Sequence, residues 1–258
     1  MKLLKFFLVI CLTIAAAGLP CQADEESSNL FEISLESMVW SRYLDSQGSV
    51  WSKRPISISD ITISLRKTPL RGLYFNCEVY TALDKTAFAG QNFSNEIDLT
   101  LGFAREIKGI QVDFGVSYFD IIPLINTAGN VWAPYVQIGK EFKLGKKHSI
   151  TPYVQLDGRI PRQNHVPQNG IFAVWGIKHS WQITESLSLK QKVNFLYDSG
   201  AFGLNEALLF QYRVETRYEI HKPFFVKPLA IYFSTPLTKV NDGRKPDAIF
   251  GAGLGCPF

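Results

Sequence analysis

The chain has 258 residues, 46% of them hydrophobic and 19% charged, with 27 Lys and Arg against 23 Asp and Glu. That balance excludes a disordered chain and a basic nucleic-acid tail, and four cysteines exclude a disulfide-dense framework. A hydropathy near zero beside 19 Phe, 10 Tyr and 5 Trp requires a packed or membrane-embedded fold.

Lys2 and Lys5 precede an apolar stretch from Phe6 to Leu19, which is too short to span a bilayer as a helix and suits a secretory signal. Cleavage is expected after Ala23, giving residues 1–23 as signal peptide and 24–258 as one barrel domain. A lipoprotein reading of Cys21 meets Gly18 and Pro20 where such a signal wants Leu and a small residue. Loss of the signal removes two lysines and no acid, so net charge says little about partners.

No later run of eighteen apolar residues exists, and alternation takes its place. From Glu96 to Phe103 and from Ile110 to Tyr118, polar or small residues alternate with apolar ones at the 180° period of half-apolar strands. Twelve strands are predicted near 30–40, 56–66, 72–82, 95–104, 110–118, 133–143, 149–157, 170–181, 187–197, 206–218, 224–234 and 247–258. Most are longer than the usual 5 or 6 residues of soluble strands and match the roughly 9 to 11 that cross a hydrocarbon layer.

The predicted connections alternate between short (67–71, 105–109, 144–148, 182–186, 219–223) and long (41–55, 83–94, 119–132, 158–169, 198–205, 235–246). With both termini in the periplasm, the short ones become periplasmic turns and the long ones extracellular loops. The expected fold is therefore all-β, a closed antiparallel transmembrane barrel in a Gram-negative outer membrane. A secreted sandwich or lipocalin-like barrel is the alternative, and it would want shorter strands and less regular loops. Phe250, Ala252, Leu254, Cys256 and Phe258 alternate to a terminal Phe, the form that barrel-assembly machinery recognises, with Gly253 and Phe258 as its key positions. Pro257 departs from that pattern.

Several short words carry a resemblance. Ser41-Arg42-Tyr43, Pro55, Glu96 to Gly102 with the hairpin to Tyr118, Pro152-Tyr153-Val154, the run from Trp175 to Ser180, and Gly251 to Gly255 resemble the TorF-like porins and related uncharacterised outer-membrane barrels. The resemblance covers most of the mature chain and implies a barrel with a passive transport role.

If the apolar positions face lipid, the alternate ones face the lumen. Strands one to five then contribute the acids Glu32, Glu36, Glu78, Glu96, Asp98 and Asp113, with Asp157 on strand seven. Strands eight to ten contribute Lys178, Lys190, Lys192, Arg213 and Arg217, with Glu215 between the last two. In a closed ring these arcs oppose one another. A water-filled lumen would then act as a narrow channel for small hydrophilic or charged solutes; side chains that met would instead form an ion-paired plug. Twelve strands decide neither.

A lipid-hydrolysing barrel would need a Ser and a His together near the outer leaflet. Of four histidines only His165, beside Asn164, is predicted on that side, and no motif fixes a Ser to it. No catalytic, metal or cofactor motif appears. Expected partners are outer-membrane lipids and lipopolysaccharide, the assembly machinery and small solutes, with no nucleic acid. The segment from Arg159 to Gly170 is the expected inward-folding or lipopolysaccharide-contacting loop.

Cys77 and Cys256 are expected on the lipid face of non-neighbouring strands, too far apart to bridge. Interfacial girdles are expected at Trp40, Tyr43, Tyr80, Tyr118, Phe119, Trp132 and Tyr197 above, and at Trp181, Tyr218, Phe224, Phe225 and Phe258 below.

Overall fold

The computed structural model describes residues 30–67, 69–83, 95–121, 130–162 and 169–257. The signal segment with its cleavage position, Asn164, His165 and Phe258 lie outside them. Among the described residues the strands are β1 (Phe31–Trp40), β2 (Tyr43–Leu44), β3 (Val50–Ser52), β4 (Ile56–Leu65), β5 (Leu73–Ala82), β6 (Asn95–Ile107), β7 (Ile110–Ile121), β8 (Val131–Gly139), β9 (Phe142–Lys143), β10 (His148–Pro161), β11 (Gly170–Gln182), β12 (Leu187–Asp198), β13 (Ala207–His221), β14 (Phe224–Pro236) and β15 (Asp247–Pro257).

All but β2, β3 and β9 pair antiparallel with their ring neighbours, and the β1–β15 ladder closes a twelve-strand barrel. Each predicted strand overlaps one of these twelve, and most of the observed strands run one to four residues further at an end. Local chemistry sets the turns: at the β6–β7 hairpin Lys108 and Gly109 both take positive φ, 52° and 80°, the two-residue turn whose twist matches that of paired strands. The alternation sets the two faces. Leu101, Phe114, Val154, Leu156, Ile177 and Leu254 stand exposed on the outer surface, so the apolar band points away from the barrel interior. Cys77 and Cys256 lie on β5 and β15, which β1 and β4 separate in the ring.

The seam formed by β14, β15 and β1 departs from simple alternation. A bulge between Lys227 and Ala230, containing Pro228, shifts the register against β15. Phe225 and Lys227 therefore point inward before the bulge, and Ala230, Tyr232 and Ser234 after it. On β15 the inward positions include Gly251, Gly253 and Gly255. A Cβ at Gly253 would overlap the Met38 thioether, and one at Gly255 the Phe225 ring. The glycines thus leave a trough in which side chains of β1 and β14 lie flat.

The expected girdle is half right. Trp132 and Tyr218 are exposed, and Tyr118 packs on Trp132 with ring centroids 4.6 Å apart. Trp40, Tyr43, Tyr80, Phe119 and Phe225 turn inward instead. Trp40 joins Met38, Leu44, Ile56 and Ile249 in an interior apolar cluster flanked by Tyr43 and Tyr80. For Trp40, Tyr43 and Tyr80 the cause is the segment 41–55, whose β2–β3 hairpin folds into the barrel mouth and needs an apolar seat, whereas Phe225 follows the register before the bulge. Half of the segment Arg159 to Gly170, expected to fold inward, lies outside the described residues. β10 runs through Pro161, so Arg159 is a strand residue, and residues 163–168 lie outside those described.

Candidate functional site

Among the described residues the barrel interior encloses open space. One cavity of about 800 Å³ lies beneath the hairpin, and a second of about 470 Å³ shares Glu78, Phe119, Arg159, Lys192 and Gln211 with it. The larger alone has room for on the order of 25 waters at ~30 Å³ each.

Four carboxylates form a ladder along one wall. Glu36 stands directly opposite Asp60 in register, Asp60 opposite Glu78, and Glu78 opposite Asp98, across β1, β4, β5 and β6. Uncharged donors tie several acids of this wall: Asn76 Nδ2 donates to Asp60 at 2.5 Å, Tyr80 to Glu78 at 2.6 Å and Tyr43 to Glu96 at 2.8 Å. Nearer the short-turn end Asp113 accepts from Tyr74 at 3.0 Å and from Tyr135 at 3.2 Å. Those two phenols also bond to each other over the cross-strand pair Gly102 and Gly115; a Cβ at Gly102 would strike both phenols, and one at Gly115 the Leu101 carbonyl. Glu32, half exposed at the barrel rim, pairs with Arg66 at 2.7 Å.

The facing wall carries the bases. Lys178 is opposite Lys192 and Lys192 opposite Arg213 on β11, β12 and β13. By strand order Asp60, Glu78 and Asp98 each lie six positions around the ring from one of them. Lys178 donates to Gln137 at 3.0 Å and lies 4.7 Å over the Tyr153 ring, and Lys192 lies 5.3 Å over the same ring. Arg213 sits 5.5 Å from Trp40 and is paired with Glu215 on its own strand. Arg217 stacks 3.7 Å over Phe225, and Lys190 stands opposite Glu215 at an exposed position. Asp157 takes both of its bonds from Gln155, at 3.0 Å each.

The hairpin ties the two walls at the mouth. Gln211 donates to the Ser46 carbonyl at 2.5 Å and Tyr232 to that of Asp45 at 3.3 Å, while Tyr43 reaches Glu96 on the acidic side. Beside it, the loops after β12 and β14 are locked by Arg244, which pairs with Asp198 at 2.8 Å and Asp242 at 2.7 Å. Burial works to raise the Asp242 carboxyl, but bonds from Arg244 and the Asn205 amide outweigh it and hold that group below the ordinary carboxylate range.

No family model matches the chain, and no curated protein matches it significantly. Solved structures do. The chain is similar to the NanC porin at 10% identity and TM-score 0.55, over 85% of this chain and 98% of that one. It is similar to an outer-membrane channel of Pseudomonas putida F1 at 12% identity and TM-score 0.54, over 92% and 98%. The KdgM porin, solved with oligogalacturonate, aligns at 9% identity and TM-score 0.51, over 88% and 99%. At such identities the likeness establishes a shared barrel fold. The TorF-like resemblance rests on the sequence words quoted above.

Three interior charges escaped the sequence reading. Asp60 shares its face with Ile56 and Ile58, so alternation on β4 assigns it to lipid; those isoleucines are inward because they seat the hairpin. Lys227 follows the inverted register before the bulge, and pairs with Glu36 at 2.5 Å and Glu215 at 2.7 Å across the glycine trough. Pro228 inside a strand was the available signal for that bulge. Arg159 was hidden by a strand boundary set four residues too early. The histidines His148 and His179 stack on each other on the outer face, and His148 also stacks on Trp181.

Proposed function

We propose that this chain is an outer-membrane barrel of a Gram-negative bacterium that conducts small hydrophilic or charged solutes passively. The observation that carries this reading is the inversion of the barrel: an exposed apolar band outside, a hollow interior lined by opposed rows of carboxylates and bases inside. A soluble fold would bury the first and expose the second. The barrel likeness to two porins and an outer-membrane channel supports the same reading.

On this reading residues 1–23 direct export and are cleaved after Ala23, the assembly machinery engages the last strand, and lipid and lipopolysaccharide surround the outer band. The acidic row and the basic row impose a transverse field that sorts solutes by sign and dipole. The hairpin of residues 41–55 narrows the mouth. The hollow interior favours a channel over a plug, since Lys227 to Glu36 is the one pair between these rows' neighbourhoods among the described residues, and it follows the wall across β15.

Refolded residues 24–258 in planar bilayers test this. Stepwise single-channel currents are expected, together with uptake of small polar solutes by liposomes carrying the protein. A folded barrel that inserts and gives no steps overturns the channel.

A further inference from the structure

We propose that the smaller lumen cavity is a subsite for a neutral sugar, a pyranose laid with one face on the Tyr74–Tyr135 phenol pair and its hydroxyls on Asp113, Gln137 and Gln155. The inference deepens the channel reading and rests on it, because the solute must enter the lumen to be held there.

The register builds an aromatic platform. Tyr74, Gly102, Gly115 and Tyr135 form one cross-strand row over β5, β6, β7 and β8. The two glycines leave the wall bare between the tyrosines, and a Cβ built on Gly102 would fall 2.6 Å from the Tyr74 hydroxyl and 2.5 Å from that of Tyr135. Each side chain therefore leans along the wall toward the other instead of projecting across the lumen, and the two phenols bond where they meet. Both tyrosines line the cavity. An aromatic face is apolar and carries partial negative charge, which suits the C–H face of a pyranose.

The next row toward the short turns carries the polar half of the site. Asp113 stands directly opposite Gln137, and Gln137 opposite Gln155, across β7, β8 and β10. Each is bonded on one side only. Asp113 takes both phenol bonds on Oδ1, Gln137 accepts from Lys178 on its carbonyl, and Gln155 spends its amide nitrogen on Asp157. That leaves the second oxygen of Asp113, the Gln137 amide nitrogen and the Gln155 carbonyl unspent among the described residues, and none of these atoms is sealed from solvent. They run acceptor, donor, acceptor at the roughly 4.8 Å spacing of paired strands. Ring hydroxyls, each able to donate and to accept, match that sequence, whereas a simple ion matches only part of it. Beyond the platform, Thr100 and Ser117, bonded to each other at 2.7 Å, add further hydroxyls. The nearby charges offset one another, Asp113 and Asp157 against Lys178 and Lys192, so neither sign of solute is favoured. A volume of about 470 Å³ falls within the range of small-ligand pockets, about 300–1,000 Å³.

Saturation-transfer NMR of the refolded chain in deuterated detergent tests the site, with methyl β-D-glucopyranoside, sorbitol and glucuronate as probes. The glucoside is expected to give the strongest transfer, concentrated on the axial hydrogens of one ring face. Sorbitol has the hydroxyls without the ring face, and glucuronate adds a negative charge; each is expected to bind more weakly. Tyr135→Ala and Asp113→Asn should each weaken the glucoside by about tenfold, the scale of one lost aromatic contact or charge-assisted hydrogen bond. Tyr135→Phe keeps the ring and should weaken it less than Tyr135→Ala, with folding checked by heat-modifiable migration on gels. Should a variant fail to fold, the comparison of three probes on the natural chain stands alone. Equal transfer to sorbitol overturns the ring-face platform, equal or stronger transfer to glucuronate overturns the neutral-sugar assignment in favour of an acidic one, and no transfer to a folded barrel removes the site. Conductance of the same preparation separates the two readings: a barrel that conducts but binds no glucoside keeps the channel and loses this site, and one that binds the glucoside without conducting does the reverse.

Discussion

On β1, β4, β5 and β6 the charged groups lie side by side, steadied by phenols and an amide: Tyr80 on Glu78, Tyr43 on Glu96, Asn76 on Asp60. On β10 to β13 the cations instead lie over ring faces, Arg159 on Phe119 and Phe172, Lys178 and Lys192 on Tyr153, Arg213 near Trp40. Apart from Glu36, paired with Lys227, and Arg213, paired with Glu215, both arrangements stabilise a charge without neutralising it. An ion-paired plug would do the opposite, cancelling each acid with a base. The difference between the walls shows how a barrel keeps two fields of opposite sign in one lumen.

The seam where the walls' outer strands approach is the place to break that separation. Gly253→Leu puts a side chain where Met38 lies and should cost about 1–3 kcal/mol, the scale of overpacking. The midpoint of urea unfolding in lipid would read it. Lys227→Met removes the cation shared by Glu36 and Glu215. These groups are partly exposed, which discounts the full penalty of a broken buried pair to about 1–2 kcal/mol. The same change should raise cation preference, because two acids gain access to solute.

Smaller changes sharpen the comparison within one wall. Tyr80→Phe removes the phenol from Glu78 and should cost about 1 kcal/mol, whereas Lys192→Met on the facing wall leaves no hydrogen-bonded partner stranded and should cost less. Equal losses at the two positions would erase the distinction between phenol-held acids and ring-held bases. The smallest effect is outside the strands. Because Asp242 is held below the ordinary carboxylate range when folded, its contribution to loop order is present above about pH 4 and is lost as pH falls through the depressed value. The loops at 199–206 and 237–246 should therefore resist an acid-active protease at mildly acidic pH and become cleavable at stronger acidity.

Strand number, loop alternation and barrel closure were legible because a barrel wall with one apolar and one polar face imposes period 2 on most of its strands. β6 and β7 show it cleanly, from Glu96 and Ile97 through Phe119. Legibility failed where the interior was not purely polar. Ile56 and Ile58 on β4, Trp40 on β1 and Tyr80 on β5 face inward to seat the hairpin, and so concealed Asp60 and misassigned part of the girdle. It failed again where a bulge reversed parity at Pro228, hiding Lys227. Alternation reports which face a residue occupies, and says nothing of a loop that returns to fill the lumen.

The reversal potential of single channels in a KCl gradient tests the opposed walls most directly. Neutralising the acidic row with E36Q, D60N, E78Q and D98N should move the potential toward anion preference, and neutralising the basic row with K178Q, K192Q and R213Q should move it the other way. A potential that stays fixed in both variants, in channels that still conduct, would contradict the account.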